Sequence, residues 1–338
     1  MKTPKARQLP SGSWFCRVRI DGKDISITRD TEKEAIAEAM AIKAGIKEVK
    51  DNRSRQTVTQ AIDSYIEIRQ NILSPATIRG YRTIQHGRFQ HLMNKRISTI
   101  TQEQWQRAVD MESRLVSAKT LTNSWRFMVS VISETTGQHF TIRLPQIIPN
   151  ERLWLTPAQI PIFVEGVKGT DVEIPALLAL SSLRRSEILN LRWKDVDLQK
   201  GILRVNGAAV VDENNELIRK QETKNQSSRR IIPIIPPLQK ALEQAEQKGE
   251  YITNFHPSNL YHKINRVCDL NGLPRVGVHG LRHSFASLAY HLKLPEKVAM
   301  QIGGWANDQT MHKIYTHLAQ EDLQKYAQSF TDFFTELE

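Results

Sequence analysis

The chain is poor in cysteine: 338 residues hold two, Cys16 and Cys268. They lie in regions of different character, and Cys16 alternates with basic residues in a strand-like run, so a structural disulfide is not expected and a reducing compartment is. Long apolar stretches are also lacking. None approaches the roughly 20 residues of a membrane-spanning helix, and the N-terminal run MKTPKARQLP has charge but no apolar segment of the secretory kind. No membrane partner is expected, and the expected location is the cytoplasm. Acidic side chains are in deficit, 36 Asp and Glu against 47 Lys and Arg, a net charge of +11 that favours a polyanionic partner. No internal repeat or low-complexity run is present. The 40% apolar and 25% charged composition is that of an ordinary globular protein, and the length predicts two or three domains.

The placement of the charge says more than its sum. Residues 1–23 carry six basic side chains against Asp21 alone. Trp14–Ile20 alternates, with Trp14, Cys16, Val18 and Ile20 on one face and Phe15, Arg17 and Arg19 on the other. An Asp21-Gly22 turn then leads into a second strand at residues 24–28. Arg17, Arg19 and Lys23 therefore belong to a basic two-stranded ribbon, which is either a solvated hairpin kept soluble by its charge or, as the favoured reading, a DNA-binding element, since such a ribbon can lie in a major groove. Thr31, with Glu34 in the capping-box position, opens a helix that should run to residues 47–50. Residues 51–57 are a polar linker. Beyond it, Thr57, Ser74-Pro75, Thr101 and Ser117 each begin a helical run. Between Arg79 and Arg126 there are nine basic residues and three acidic ones, too few carboxylates for a mixed solvated face, so Arg79, Arg82 and Arg126 are candidate phosphate contacts. Residues 141–152 hold two prolines and no period, which marks a second linker. After Thr156-Pro157 helices should extend to about residue 191. Residues 202–211 and 216–220 read as a hairpin, residues 230–234 as a third strand, and the remainder as helix. The expected class is mainly α with small antiparallel sheets, an α+β chain in three domains: 1–52, 57–140 and 153–338.

One stretch organises the last domain. Residues 278–315 read VHGLRHSFASLAYHLKLPEKVAMQIGGWANDQTMHKIY. Leu281, Phe285, Leu288 and Leu292 mark a helix, from which His279 and Arg282, three apart, project on one side. This H-x-x-R, the G-G-W that follows, and Tyr315 within I-Y-T-H-L are preceded by Leu183-Arg184-Arg185-Ser186-Glu187-Ile188. Thr223-Lys224 and residues 228–233 (SRRIIP) stand between. The four motifs in this order resemble those of the tyrosine recombinases, the phage-integrase family of site-specific DNA recombinases, most strongly over residues 153–338 and more loosely over 1–140.

That resemblance implies an arm-type DNA-binding domain, a helical core-binding domain and a catalytic domain. It implies an enzyme that cuts and rejoins DNA through a 3′-phosphotyrosine and a Holliday junction, with no cofactor. The implied partners are double-stranded attachment sites, three further copies of the chain in a tetramer on DNA, and accessory DNA-bending or directionality proteins. A bacterial, phage or mobile-element origin is implied as well. Arg184 and Arg282 would bind the nonbridging oxygens of the scissile phosphate, since guanidinium forks donate paired hydrogen bonds without losing a proton. Arg184 alone could be a surface helix residue and Arg185 could compete with it; the motif selects Arg184. Tyr315 would be the nucleophile, with a phenol pKa of about 10 that suits both attack and later departure. Its rival, Tyr326, is spaced like a core residue of a final helix. Lys224, read locally as a loop lysine with Lys220 close by, would be the acid for the departing 5′ oxygen.

His279 would act as acid, base or phosphate donor. Trp305 occupies the family's His-or-Trp position, where an indole can donate one hydrogen bond and pack but cannot transfer a proton. Ser182 replaces the usual glycine before Leu183, and a small backbone adjustment is expected there. His279 and His283 are four apart, yet without the Glu of H-E-x-x-H a zinc site is not expected, and His283 reads as structural. The segment from 318 to 338 carries an apolar stripe with three phenylalanines that must be buried, either in its own subunit or, as the resemblance implies, on a neighbouring copy. Two other classes remain open: a type IB topoisomerase, disfavoured by the basic ribbon, and a non-catalytic architectural DNA-binding protein, disfavoured by the complete Arg-Lys-His-Arg-Tyr set.

Overall fold

The computed structural model describes residues 4–20, 23–44, 55–148, 153–220 and 229–305, together with Thr335. Lys224, Tyr315, Tyr326, the Asp21-Gly22 turn and the C-terminal apolar stripe lie outside the described residues. The chain divides into two compact units, residues 1–71 with 83–147, and residues 72–82 with 148–338.

In the first unit, β1 (Ala6–Gln8), β2 (Trp14–Ile20) and β3 (Lys23–Arg29) form an antiparallel sheet in that order. The expected two-stranded ribbon thus has a third strand, with Ala6 paired to Cys16 and Gln8 to Trp14. Three residues are too few to display a period, so alternation could not reveal β1. Helix α1 (Glu32–Lys43) starts at Thr31, whose hydroxyl accepts from the Glu34 N–H at 3.3 Å and donates to the Glu34 carboxylate at 2.9 Å. It covers the inner face of the sheet, burying Cys16, Val18 and Ile27 against Ala35, Ala39 and Ile42.

The helical part of this unit comprises α2 (Val58–Arg69), α3 (Pro75–Gly87), α4 (Gln90–Met93), α5 (Gln102–Ser113) and α6 (Ala118–Thr136), the first half of α3 grouping with the second unit. Thr57 and Thr101 make reciprocal capping boxes with Gln60 and Gln104. Phe89 adopts a left-handed backbone (φ 52°) beyond α3, and its N–H is held by the buried Glu112 carboxylate at 2.8 Å. Phe89 thereby enters the core with Trp105 and Trp125, whose ring centroids lie 5.6 Å apart.

The second unit contains α7 (Gln159–Val167), α8 (Glu173–Leu180), α9 (Arg185–Ile188), β4 (Val196–Asp197), β5 (Ile202–Val205), β6 (Ala208–Val211), β7 (Leu217–Lys220) and β8 (Arg230–Pro233). Helices α10 (Pro236–Gln244), α11 (Pro257–Leu270), α12 (Gly277–His291) and α13 (Glu296–Gly303) follow. Helix α8 is apolar all round and central; Pro175 through Leu180 are all buried, which a helix with so little polar surface requires.

Two expectations need correction here. Helix α7 begins two residues beyond Pro157, with Pro157 and Ala158 in a turn. The single strand expected at residues 202–211 is two strands in different sheets: β5 lies between β4 and β8, and β6 pairs only with β7. Residues 230–233 therefore join β5 rather than extend the hairpin. Residues 203, 205, 207, 209 and 211 are all buried. Alternation thus runs unbroken across the break at Asn206-Gly207, so the period hides it. Among the described residues no helix is long and apolar enough to cross a membrane, and no group of His, Cys, Asp or Glu is arranged to hold a metal.

Candidate active site

The site forms where the end of α8, the start of α9, the start of α12 and the turn after α13 converge. Leu183, fully buried, anchors the chain as it leaves α8. Arg184 then stands at the N-terminus of α9, where the Glu187 carboxylate accepts from its backbone N–H at 2.7 Å and from its Nη1 at 2.8 Å. Its Nη2 donates to the Gly304 carbonyl. From α12, Arg282 is 2% exposed and donates to the carbonyls of Ser182 and Gly303. Arg184, Arg282 and His279 line one cavity of about 480 Å³, together with Arg185, Ser186 and Tyr261. Each of Arg184 and Arg282 commits two of its five N–H donors to these carbonyl and carboxylate partners, which fixes the fork and leaves donors for an anion.

His279 and Arg282 share the cavity, as their spacing predicted, but not the same environment. His279 is exposed, and its Nε2 meets the Nε2 of the buried His283 at 3.0 Å. Trp305 follows directly after the turn, with the Arg282 guanidinium 4.6 Å from its ring centre and Phe285 stacked at 6.1 Å. Its place is set by Gly303: a Cβ there would lie 1.9 Å from Trp305 Cζ3. The Gly304 backbone is left-handed (φ 61°), and a Cβ there would crowd the Arg230 side chain at 3.0 Å.

Sequence reasoning missed Arg230 and the bridging role of Glu187. Arg230, 8% exposed, donates Nη1 and Nη2 to the two Glu187 oxygens at 2.9 Å, Nη2 to the Ser182 carbonyl at 3.3 Å, and Nε to the Ile302 carbonyl at 2.8 Å. A signal was available: Arg230 and Ile232 are two apart in a strand, so an arginine there shares the core-facing side. Burial raises the Glu187 carboxyl, but the Arg230 hydrogen bonds and charge, with Arg184, outweigh it and hold the group below the ordinary carboxylate range. Arg282 is pushed down to about 9, first by burial and then by the Arg184 charge, with Glu187 opposing and Arg230 adding to the shift. It remains protonated at neutral pH. Arg184 and Arg230 thus bond the same carboxylate, while Arg282 feels its charge without a bond to it.

Ser182, where the family usually has glycine, takes the left-handed φ of 75° that favours glycine and is fully buried. This conformation aims its carbonyl at both Arg230 and Arg282.

The candidate DNA contacts fall elsewhere. Arg17 and Arg19 are exposed on β2 opposite its buried Cys16 and Val18, and Arg17 and Arg7 flank the Phe15 ring at 5.8 and 5.2 Å. Lys23 opens β3. Arg126 is exposed on α6. Arg79 is exposed and Arg82 half-buried, and both are partnered within the second unit, donating to Asn215 and Glu213, each at 3.3 Å.

Residues 154–322, half of the chain, match the profile of the phage integrase family. A XerC-like tyrosine recombinase of Caldanaerobacter subterraneus is 26% identical over 203 residues, 50% of this chain and 51% of that one. The prophage integrase IntF of Escherichia coli is 28% identical over 162 residues, 44% of this chain and 31% of its own. The chain therefore spans about half, or less, of the length of these two relatives. The integrase of Staphylococcus phage L54a is 22% identical over 302 residues, 83% of this chain and 82% of that one. Among solved structures, the Tn1549 transposon integrase in complex with transposon right end DNA superposes with a TM-score of 0.61 at 19% identity, over 80% of this chain and 100% of that one. A lambda integrase tetramer bound to a Holliday junction gives 0.55 at 16% identity, over 90% and 96%. The fold and the profile over residues 154–322 agree, and the chain belongs to the phage integrase family.

Proposed function

We propose that the protein is a site-specific tyrosine recombinase, an integrase that cuts and rejoins double-stranded DNA. The observation that carries this reading is the cavity in which the guanidiniums of Arg184 and Arg282, each held by backbone carbonyls, stand beside His279 and Arg185. A phosphodiester supplies one negative charge and its pentacoordinate transition state two, so the site is better matched to the transition state than to the ground state. The Tyr315 phenol attacks phosphorus, the phenolic proton leaves to a base, and the P–O5′ bond breaks as Lys224 or His279 protonates the departing oxygen. The tyrosyl ester keeps the bond energy, and a 5′ hydroxyl of the second duplex reverses the step with no ATP. Trp305 packs on Arg282 and can donate one hydrogen bond, but takes no part in proton transfer.

The residues that would carry the DNA are Arg17, Arg19 and Lys23 on the N-terminal sheet and Arg126 on α6, as parts of arm-type (1–52) and core-binding (57–140) domains. Arg79 and Arg82 would join them by exchanging Asn215 and Glu213 for phosphate. A tetramer across two attachment sites in the cytoplasm completes the reading, supported by the lambda integrase likeness.

The test uses a nicked suicide DNA in EDTA without ATP. A covalent adduct on the 3′ phosphate, lost in Arg184→Ala and Arg282→Ala at saturating DNA, is the expected result. Binding without any adduct would leave an architectural protein, and relaxation of plasmids lacking paired sites would mark a topoisomerase.

A further inference from the structure

We propose that Arg230 is a positioning residue for strand cleavage, holding Arg184 and Arg282 in their phosphate-binding geometry without touching the phosphate; this rests on the recombinase reading above. The first argument is an account of donors. Arg230 commits Nε and both Nη groups to four protein bonds, so at most one of its five N–H donors is left over, and the side chain is buried. Arg184 and Arg282 each commit two donors and line the cavity. Arg230 is not a cavity-lining residue.

The second argument is shared anchorage. Arg184 is held by Glu187 and the Gly304 carbonyl, and Arg230 holds the same carboxylate and the Ile302 carbonyl two residues away. Arg282 is held by the carbonyls of Ser182 and Gly303, and Arg230 holds the same Ser182 carbonyl and the neighbouring Ile302. Both phosphate-facing forks are thus tied at each end to segments that Arg230 joins. The left-handed Gly304 leaves room for the Arg230 side chain, which a Cβ would meet at 3.0 Å. Strand β8 delivers Arg230 from the sheet side, opposite Val205 of β5. A lysine could keep the charge beside Glu187 but not reach Ser182, Glu187 and Ile302 at once.

The experiment compares single-turnover cleavage of a nicked DNA carrying an ordinary scissile phosphodiester with one carrying a neutral methylphosphonate, for the wild type, Arg230→Lys and Arg230→Met. Displaced arginine forks should slow the phosphodiester reaction by ~100-fold, with DNA affinity within ~3-fold, but the methylphosphonate reaction by less than ~5-fold because it carries less charge to neutralise. A residue needed only for stability would slow both substrates equally, and that result overturns the proposal. So would wild-type rates in both variants, or loss of the folded circular dichroism spectrum at 25 °C in both. A wild-type protein that forms no adduct on the phosphodiester would instead sink the recombinase reading itself.

Discussion

Replacing Gly303 by alanine should disable the site without removing any of its polar groups. The added Cβ would stand 1.9, 2.1 and 2.7 Å from Cζ3, Cε3 and Cη2 of Trp305, so the indole must leave its place. Two contacts go with it: the Arg282 guanidinium at 4.6 Å from the ring centre and the stacked Phe285 at 6.1 Å. A partly desolvated cation–π contact contributes about 0.5–2 kcal/mol and an aromatic pair about 0.5–1.5 kcal/mol. If the roughly 1–3 kcal/mol lost is expressed in the transition state, adduct formation slows by roughly 5- to 150-fold. Single-turnover cleavage of the nicked DNA at saturating protein gives the rate, and a thermal melt gives any stability loss. The decisive comparison is a double-mutant cycle with Trp305→Ala. In that background the clash is gone, so Gly303→Ala should change the rate by less than ~2-fold. An unaltered rate in the single variant, or a full penalty in the Trp305→Ala background, would refute the steric account.

Ser182→Gly should stabilise the catalytic unit. The left-handed backbone costs an L-residue about 1–2 kcal/mol, against about 0.5–1 kcal/mol of extra unfolded-state freedom for glycine. The unpartnered buried hydroxyl is removed as well. A rise of ~1–3 °C in the thermal midpoint follows, and a fall would contradict the reasoning. Glu187→Gln should show a pH-dependent deficit. Because the folded pKa of Glu187 lies below its unfolded value, its stabilisation is fully present above the unfolded carboxylate range and is lost as pH falls through the folded pKa. Denaturant titrations should give a gap of ~3–5 kcal/mol at pH 7, typical of breaking a buried pair, that narrows below pH ~4. A gap that did not depend on pH would remove Glu187 from the charge network.

The motifs and their helices were legible because the signals are local. Thr31, Thr57, Thr101 and Ser117 each cap the helix that their position announced, and the 3.6-residue period of residues 278–291 corresponds to α12. Strand partners were less legible. The separation of β5 from β6 depends on which neighbour each edge meets, a long-range choice that an unbroken alternation does not encode. Within the site, the spacing of His279 and Arg282 put them on one side of a helix, whereas Arg184 was selected only by the motif's resemblance to the family. Glu187 and Arg230 lie in the same motifs, and the spacing of Arg230 to Ile232 marks its burial, but their bonds to each other and to Ile302 span 43 and 72 residues of chain and are not legible locally. Ser182 carries a related lesson: a residue type unfavourable for its backbone conformation persists where its carbonyl anchors two arginines.

The central claim is that Arg184, His279 and Arg282 hold a scissile phosphate for attack by Tyr315. Its most direct test is to trap the adduct on nicked DNA, digest protein and DNA, and identify the modified tyrosine by mass spectrometry. The account predicts a nucleoside 3′-phosphate esterified to the tyrosine of the peptide containing Tyr315, and none with Tyr315→Phe although that variant still binds DNA. A nucleotide found on Tyr326 or on any other residue, or an adduct that persists in Tyr315→Phe, would contradict it.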